Sequence, residues 1–286
     1  MSHARLIALT TVTMIAFAGN SLLCRVALKE TAIDPASFTT IRLASGAVML
    51  WLIVSLKRDA RGGRGNWLSA LALFAYAAGF SFAYVSLPVA TGALLLFGAV
   101  QVTMIGYGMA VGERLRGVQV VGLLLAMVGL VGLLLPGLST PPLHASLLML
   151  SAGLAWGVYS LRGRGSGDPT RITAGNFLRA VPIAALPSVL MLDRLALDGA
   201  GIVYAVLSGA LASGIGYSIW YAALPGLKAA SAASVQLSVP VIAAMGGILF
   251  LDEALSLRLV LASIAILGGI ALVLFEKPGA RAEQAT

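Results

Sequence analysis

GFSFAYVSLP at residues 79–88 returns as GYSIWYAALP at residues 216–225, one phrase written twice, 137 residues apart. Five positions coincide: Gly79/Gly216, Ser81/Ser218, Tyr84/Tyr221, Leu87/Leu224 and Pro88/Pro225. In a chain rich in Gly, Leu and Ala the match proves little alone, so a duplication has to show at other landmarks with a similar offset. Arg42 falls on Arg179 at 137 residues, Glu113-Arg114-Leu115 on Glu253-Ala254-Leu255 and Gly129 on Gly269 at 140, and Gly19 on Gly157 at 138. Their agreement within three residues divides the chain into an expected first repeat at 1–138 and a second at 139–276, followed by a tail at 277–286 expected to be disordered.

Composition fixes the solvent of these repeats. Of the 286 residues 59% are hydrophobic and 10% charged, with a mean hydropathy of +0.96, whereas soluble domains carry about 25% charged residues. A helix needs roughly 20 apolar residues to cross a bilayer, and ten such segments are expected, at about 5–27, 36–56, 67–87, 89–111, 117–136, 143–162, 172–192, 199–223, 228–251 and 257–275. Alternating strand patterns are missing, and helices satisfy their own backbone in lipid. The fold class is therefore an all-α polytopic membrane protein with ten transmembrane helices. Short connections argue for one bundle, with KRDARGGRGN (57–66) and RGRGSGDPTR (162–171) as polar loops and no attached soluble domain.

The net charge of +8 reads as topology, not as a nucleic-acid surface. Thirteen of the 19 basic residues fall in alternate connections or at the ends, among them Arg5, Lys57, Arg58, Arg61, Arg64, Arg114, Arg116, Arg162, Arg164 and Arg171, while Arg25, Lys29, Arg194 and Arg258 lie on the other side. By the positive-inside rule both termini are cytoplasmic, and the expected location is the bacterial inner membrane. Arg5, an apolar run and Ala16-Phe17-Ala18 resemble a cleavable signal, but the apolar pattern continues through Leu22 and Leu23, so segment 1 is read as retained. The single Cys24 excludes an internal disulfide framework and a cysteine-based zinc site. No cofactor or metal is called for.

Five spans per repeat force the two repeats into opposite orientations. Many secondary transporters are built this way, with the binding site between the repeats near the midplane. The five-plus-five plan, the Arg in segments 2 and 7, the Gly112-Glu113-Arg114-Leu115 and Asp252-Glu253-Ala254-Leu255 endings of segments 4 and 9, and the small-residue segments 5 and 10 resemble the EamA-type branch of the drug/metabolite transporter superfamily. Within that branch the chain is most similar to the YddG-type exporters of aromatic and other amino acids. The resemblance implies two inverted five-helix repeats around a central cavity lined mainly by segments 1, 3, 4, 6, 8 and 9. Val100-Gln101-Val102 departs from the second half's Val239-Pro240-Val241.

Polar groups inside a bilayer are functional candidates by default. All 11 acidic residues lie in connections or near span ends, and His3 and His144 lie outside the spans, so no buried acid or imidazole is expected to relay a proton. Candidate substrate contacts are neutral: Asn20 on segment 1; Tyr76, Phe80 and Tyr84, one helix face, on segment 3; Phe97 and Gln101 on segment 4; Trp156 and Tyr159 on segment 6; Tyr217, Trp220 and Tyr221 on segment 8; Gln236 on segment 9. Phe17, Ser21 and Cys24 share the stripe of Asn20. The rings would supply apolar surface, and the three amides hydrogen bonds to an amino or carboxyl group. The competing reading makes the rings lipid-facing or packing residues and the amides interhelical glue.

Arg42 and Arg179 are expected near span ends, snorkelling or binding helix carbonyls, with attraction of a carboxylate substrate as the secondary alternative. Glu113 and Glu253 read as turn and cap residues. Pro88 and Pro225 would stop segments 3 and 8 on opposite surfaces and serve as mirror-related gates. Gly106-Tyr107-Gly108 and Gly163-Arg164-Gly165 follow no strand and carry no phosphate-loop logic, and with two His residues no Ser-His pair assembles in the membrane. The expected function is export of small amphipathic metabolites, amino acids foremost, by alternating access, as a monomer or weak homo-oligomer. Other metabolites or drugs are the alternative substrates, and an intramembrane enzyme or a channel the alternative classes.

Overall fold

Helices account for every regular element in the computed structural model, which describes residues 2–56, 62–112, 115–135, 137, 140–163, 168–223, 227 and 235–275. In chain order they are α1 (His3–Glu30), α2 (Pro35–Leu56), α3 (Trp67–Tyr84), α4 (Val89–Ala110), α5 (Gly117–Leu134), α6 (Leu143–Arg162), α7 (Pro169–Leu190), α8 (Gly199–Ala223), α9 (Ser238–Leu251) and α10 (Leu257–Phe275). Among the described residues, eight are long and apolar enough to cross a membrane, and Ser238–Leu251 and Leu257–Val273 are shorter apolar stretches. The chain is thus an all-helical, multi-pass membrane protein of about ten helices. The expected start of segment 9 at 228–234 lies outside the described residues, as do Glu113 and Pro225.

Several helix starts are written by their first side chain. Asp34 accepts from the amides of Ala36 (3.0 Å) and Ser37 (2.9 Å) ahead of Pro35, and Asp168 accepts from Thr170 (2.8 Å) ahead of Pro169. Asp198 and Asn66 cap α8 and α3 in the same way, at 3.2 and 2.8 Å. A side-chain oxygen satisfies an orphan amide, and proline loses nothing at the first helical position. Three carboxylates that the sequence places in connections are therefore occupied as caps.

The Asp-Pro starts of α2 and α7 are 134 residues apart, not 137. Burial follows that register: Thr39, Arg42, Leu43 and Gly46 in α2 correspond to Thr173, Asn176, Phe177 and Ala180 in α7, all buried. The expected partnership of Arg42 with Arg179 is corrected accordingly, because Asn176 stands where Arg42 does. Three residues are about 300° of helix, enough to carry Arg179 to a half-buried edge. There it donates to the carbonyl oxygens of Gly175 (2.8 Å) and Arg64, the anchoring expected of it. Arg42 neither snorkels nor anchors a helix end: it is 1% exposed.

The helices pack as α5 on α10, α2 on α7 and α8, α3 on α6 and α7, α4 on α6 and α9, and α1 on α8 and α9. Side chains such as Trp51, Val128, Leu178 and Phe250 remain exposed on the outside, as lipid-facing positions do. The α5–α10 contact is a backbone approach, for a Cβ at Gly122 would stand 2.5 Å from the carbonyl oxygen of Gly269, and one at Gly269 would run into that of Gly122. Gly122→Ala and Gly269→Ala should each destabilise the protein by about 1–3 kcal/mol through overpacking. Gly132→Ala, with open space around it, should change little. Thermal unfolding in detergent measures all three, and equal midpoints would contradict the close packing.

Candidate functional site

Asn20 on α1 is hydrogen-bonded to two other helices at once. Its Nδ2 donates to the Tyr76 hydroxyl on α3 (3.3 Å), and its Oδ1 accepts from Ser208 Oγ on α8 (2.6 Å). The same Tyr76 hydroxyl accepts from Arg42 Nη2 (2.9 Å), so one polar chain, Arg42–Tyr76–Asn20–Ser208, ties α2, α3, α1 and α8 together. Amides used this way are interhelical glue, yet this chain also borders a cavity.

Arg42 is held by rings. Its guanidinium carbon lies 5.2 Å from the Tyr76 ring centre and 4.8 Å from that of Phe80, within cation–π range. Its Nη1 is buried without a hydrogen-bond partner. The residues Leu207–Ile215 of α8 wind as a π-helix, a form that recurs at functional sites. Gly209 in that stretch lets α8 rest on α2, since a Cβ there would collide with the carbonyl oxygen of Arg42.

The cavity lies between five helices. Asn20, Phe17 and Ser21 come from α1, Tyr76 and Phe80 from α3, Leu96 and Phe97 from α4, Trp156 from α6, and Ala212, Ser213 and Tyr217 from α8. Its volume of about 20 Å³ holds about one water molecule. Ser213 Oγ, in its wall, is buried with no hydrogen-bond partner. Rings form a continuous column through this point, with centres 4.7 Å apart for Tyr84–Phe80, 5.4 Å for Phe80–Tyr76, 4.8 Å for Tyr76–Trp156, 5.1 Å for Trp156–Tyr217 and 5.7 Å for Tyr217–Phe17. These spacings are those of favourable aromatic pairs.

Six of the expected contacts, Asn20, Tyr76, Phe80, Phe97, Trp156 and Tyr217, line this cavity. Tyr84 ends the column on α3, its hydroxyl 3.4 Å from the Val89 carbonyl oxygen, and Tyr159 stacks on Trp156 at 5.4 Å while accepting from Asn176 Nδ2 (3.4 Å). Trp220 packs behind Phe17 at 6.2 Å, and the Tyr221 hydroxyl lies beside Gly163. Gln101 is buried one turn beyond Phe97 with Nε2 unpaired, and Gln236 precedes α9; neither lines the cavity, and among the described residues α9 gives it no wall. Ser208 and Ser213 are the additions, for which the small-residue run LSGALASG (207–214) was the available signal. Arg42, expected at a span end with carboxylate attraction as its secondary reading, instead lies against the Tyr76 and Phe80 rings of the cavity wall.

A second polar junction closes one end of the bundle. Arg25 on α1 pairs with Glu253, Nε to Oε1 at 3.3 Å, and its Nη1 donates to the carbonyl oxygens of Tyr84 (2.8 Å) and Val85 (2.9 Å). Glu253 Oε2 accepts from the Val89 amide (2.7 Å), capping α4 from the α9–α10 connection, which turns at the left-handed Asp252 (φ 51°). Glu253 is thus a cap, as its place in the sequence suggests, but of a distant helix, and it is an ion-pair partner as well. Pro88, the residue before α4, lines a cavity of about 320 Å³ beside Glu253 at this end.

Residues 143–275 match the EamA-like transporter family. An uncharacterized protein of Pseudomonas aeruginosa is 59% identical over 285 residues, 99% of each chain. An uncharacterized transporter of Archaeoglobus fulgidus is 26% identical over 281 residues, 92% of this chain and 95% of its own. The threonine/homoserine exporter RhtA of Salmonella typhimurium is 33% identical over 160 residues, 53% of each chain. A protein crystal structure with 20% identity covers 95% of this chain and 98% of its own at a TM-score of 0.68, a likeness of fold alone.

The Arg25–Glu253 pair is about 11% exposed at each side chain, so removing one partner strands the other. Arg25→Met and Glu253→Gln should each cost on the order of 3 kcal/mol, and the double variant should recover part of the loss. Thermal unfolding of the four proteins tests this, with strictly additive losses as the contrary result.

Proposed function

The chain belongs to the EamA-like transporter family, and on that premise we propose that it exports small amphipathic metabolites, amino acids foremost, across the bacterial inner membrane by alternating access. The observation that carries this reading is the small cavity of rings, an amide and hydroxyls at the meeting of α1, α3, α4, α6 and α8. A zwitterion with an apolar side chain needs such a surface, a few polar contacts within an apolar wall. The similarity to a threonine/homoserine exporter over half of each chain favours the same substrate class.

The neighbour relations of the helices support two inverted repeats, 1–138 and 139–276. Exchanging each helix of the first five with its counterpart five later turns α3–α6 into α8–α1, α4–α6 into α9–α1 and α2–α8 into α7–α3, and leaves α2–α7, α4–α9 and α5–α10 as self-pairs. All these pairs are in contact. The cavity draws α1, α3 and α4 from one repeat and α6 and α8 from the other, where a site between repeats belongs.

In this conformation the pathway is shut. The central cavity holds about one water, and the Arg25–Glu253 junction clamps α1, the α3–α4 turn and the α9–α10 connection. By the charge distribution this junction faces outward, so the clamp and Pro88 form the outer gate and the region of Pro225 the inner one. Opening outward breaks the pair, and a substrate enters only when the rings part. No buried carboxylate is needed for the cycle, which runs as facilitated diffusion or exchange.

Purified protein in liposomes should show saturable counterflow of labelled threonine, homoserine or phenylalanine without a pH or sodium gradient. Flux no greater than in empty liposomes for all of them would overturn the reading, and dependence on an ion gradient would overturn the uncoupled cycle. Asn20→Ala should lower the flux about tenfold, the worth of one well-placed hydrogen bond. Pro88→Ala and Pro225→Ala should alter flux more than thermal stability, and unchanged flux in both would remove the gate assignment.

A further inference from the structure

Arg42 is a fully buried cation, and among the described residues no carboxylate pairs with it. It lies about 10 Å into α2, at 1.5 Å per residue from Pro35. A charge at such depth is costly unless something balances it. What it has is the Tyr76 hydroxyl and two ring faces, while Nη1 has no hydrogen-bond partner. A guanidinium has five N–H donors in a planar fork. This one is under-used, and its ring partners Tyr76 and Phe80 are themselves the wall of the central cavity. In the wall of that cavity Ser213, on α8, offers a second buried polar atom without a partner.

We propose that Arg42 is the carboxylate site of the central cavity, so that the ligand accepted there is an organic acid or amino acid whose carboxylate supplies the counter-charge that no described residue provides. The inference deepens the transport reading and rests on it for the cavity's role, though the binding event is separable from flux. A carboxylate takes the guanidinium from the Tyr76 hydroxyl and accepts from Nη1 as well, and Ser213 Oγ donates to its other oxygen. The remainder of the ligand lies against Phe17 and Trp156. Because Tyr76 also holds Asn20, and Asn20 holds Ser208, a ligand that displaces the Tyr76 hydroxyl loosens the bond chain joining α2, α3, α1 and α8. A carboxamide or an amine of the same shape brings no negative charge and leaves the guanidinium as it was. A desolvated cation makes this discrimination large, since charge-assisted bonds are roughly twice as strong as neutral ones.

The test compares three forms of one compound on the purified, full-length protein: L-phenylalanine, its primary carboxamide, and N-acetyl-L-phenylalanine, with the same series built on L-threonine. The first reading is thermal stabilisation in detergent, which needs no transport. Both acids of at least one series should raise the unfolding midpoint, and the carboxamide should need at least thirtyfold more for the same shift. The second is inhibition of counterflow in liposomes, where the same order should appear. In Arg42→Gln the acid-to-amide ratio should fall to about one; Arg42→Lys, which keeps the charge but not the fork, should retain part of it. If Arg42→Gln does not fold, the wild-type comparison of acid with amide still decides. A carboxamide as potent as its acid, no stabilisation by any of these carboxylates, or a preserved ratio in Arg42→Gln overturns the proposal. Stabilisation by the acids without flux would overturn the transport reading and leave the anion site standing.

Discussion

A guanidinium enclosed by aromatic rings, with no carboxylate beside it among the described residues, is the constraint around which the centre of this protein is arranged. The Arg42 guanidinium takes its ring faces from α3, as Tyr76 and Phe80, while Gly209 of α8 packs against the Arg42 backbone carbonyl. The π-helical stretch of α8 brings Ser208 to Asn20 in the same place. Each of these devices would be costly alone in an apolar setting; together they satisfy most of one another's polar groups. Three buried side-chain atoms are left without a partner among the described residues: Ser213 Oγ in the cavity wall, Arg42 Nη1 beside the Tyr76 and Phe80 rings that line it, and Gln101 Nε2 one turn beyond Phe97.

The two polar junctions divide the work of holding the helices. The central chain is formed by neutral groups and one cation, beside a cavity. The Arg25–Glu253 junction is a compensated ion pair at a helix end, and it reaches the backbone of the α3–α4 turn from both sides, donating to the carbonyls of Tyr84 and Val85 and accepting from the Val89 amide. A compensated pair can break and re-form as a unit, which suits a clamp. An uncompensated cation beside a cavity suits recognition instead. Elsewhere the helices meet through apolar contact, through backbone approach at Gly122 and Gly269, and through peripheral hydrogen bonds such as Thr40 Oγ1 to the Ala184 carbonyl oxygen and Gln119 Nε2 to that of Val273.

The limits of the sequence show at particular residues. The spans were legible because apolar length needs no knowledge of neighbours, and the boundaries of α2, α4, α5, α6 and α8 lie within two residues of those expected. The aromatic stripe of Tyr76, Phe80 and Tyr84 was legible as a helix face, but that Tyr84 caps the column while Tyr76 carries the bond chain depends on α1 and α2. Gln101 and Gln236 looked equal to Asn20 as candidates, and only Asn20 borders the cavity. Arg42 and Arg179 looked equivalent because both fall at the 137-residue offset of the repeated phrase; the helix starts at Asp34-Pro35 and Asp168-Pro169 set a different register.

By itself the sequence determined the solvent, the all-helical plan of about ten apolar helices and the polar and aromatic stripes available to a site, because these follow from composition and helical period along one chain. The tertiary structure decided which of those stripes meet, and it overturned the reading of Arg42 while keeping that of Arg179. Burial and partnership are properties of a place rather than of a residue type. Arg179, on the edge of α7, finds carbonyl oxygens; Arg42, on the inner face of α2, finds two rings, one hydroxyl and a donor left over. The same side chain is an anchor in the first setting and a buried, ring-held cation in the second; the Asp-Pro helix starts set their register apart, and the packing decides what each one meets.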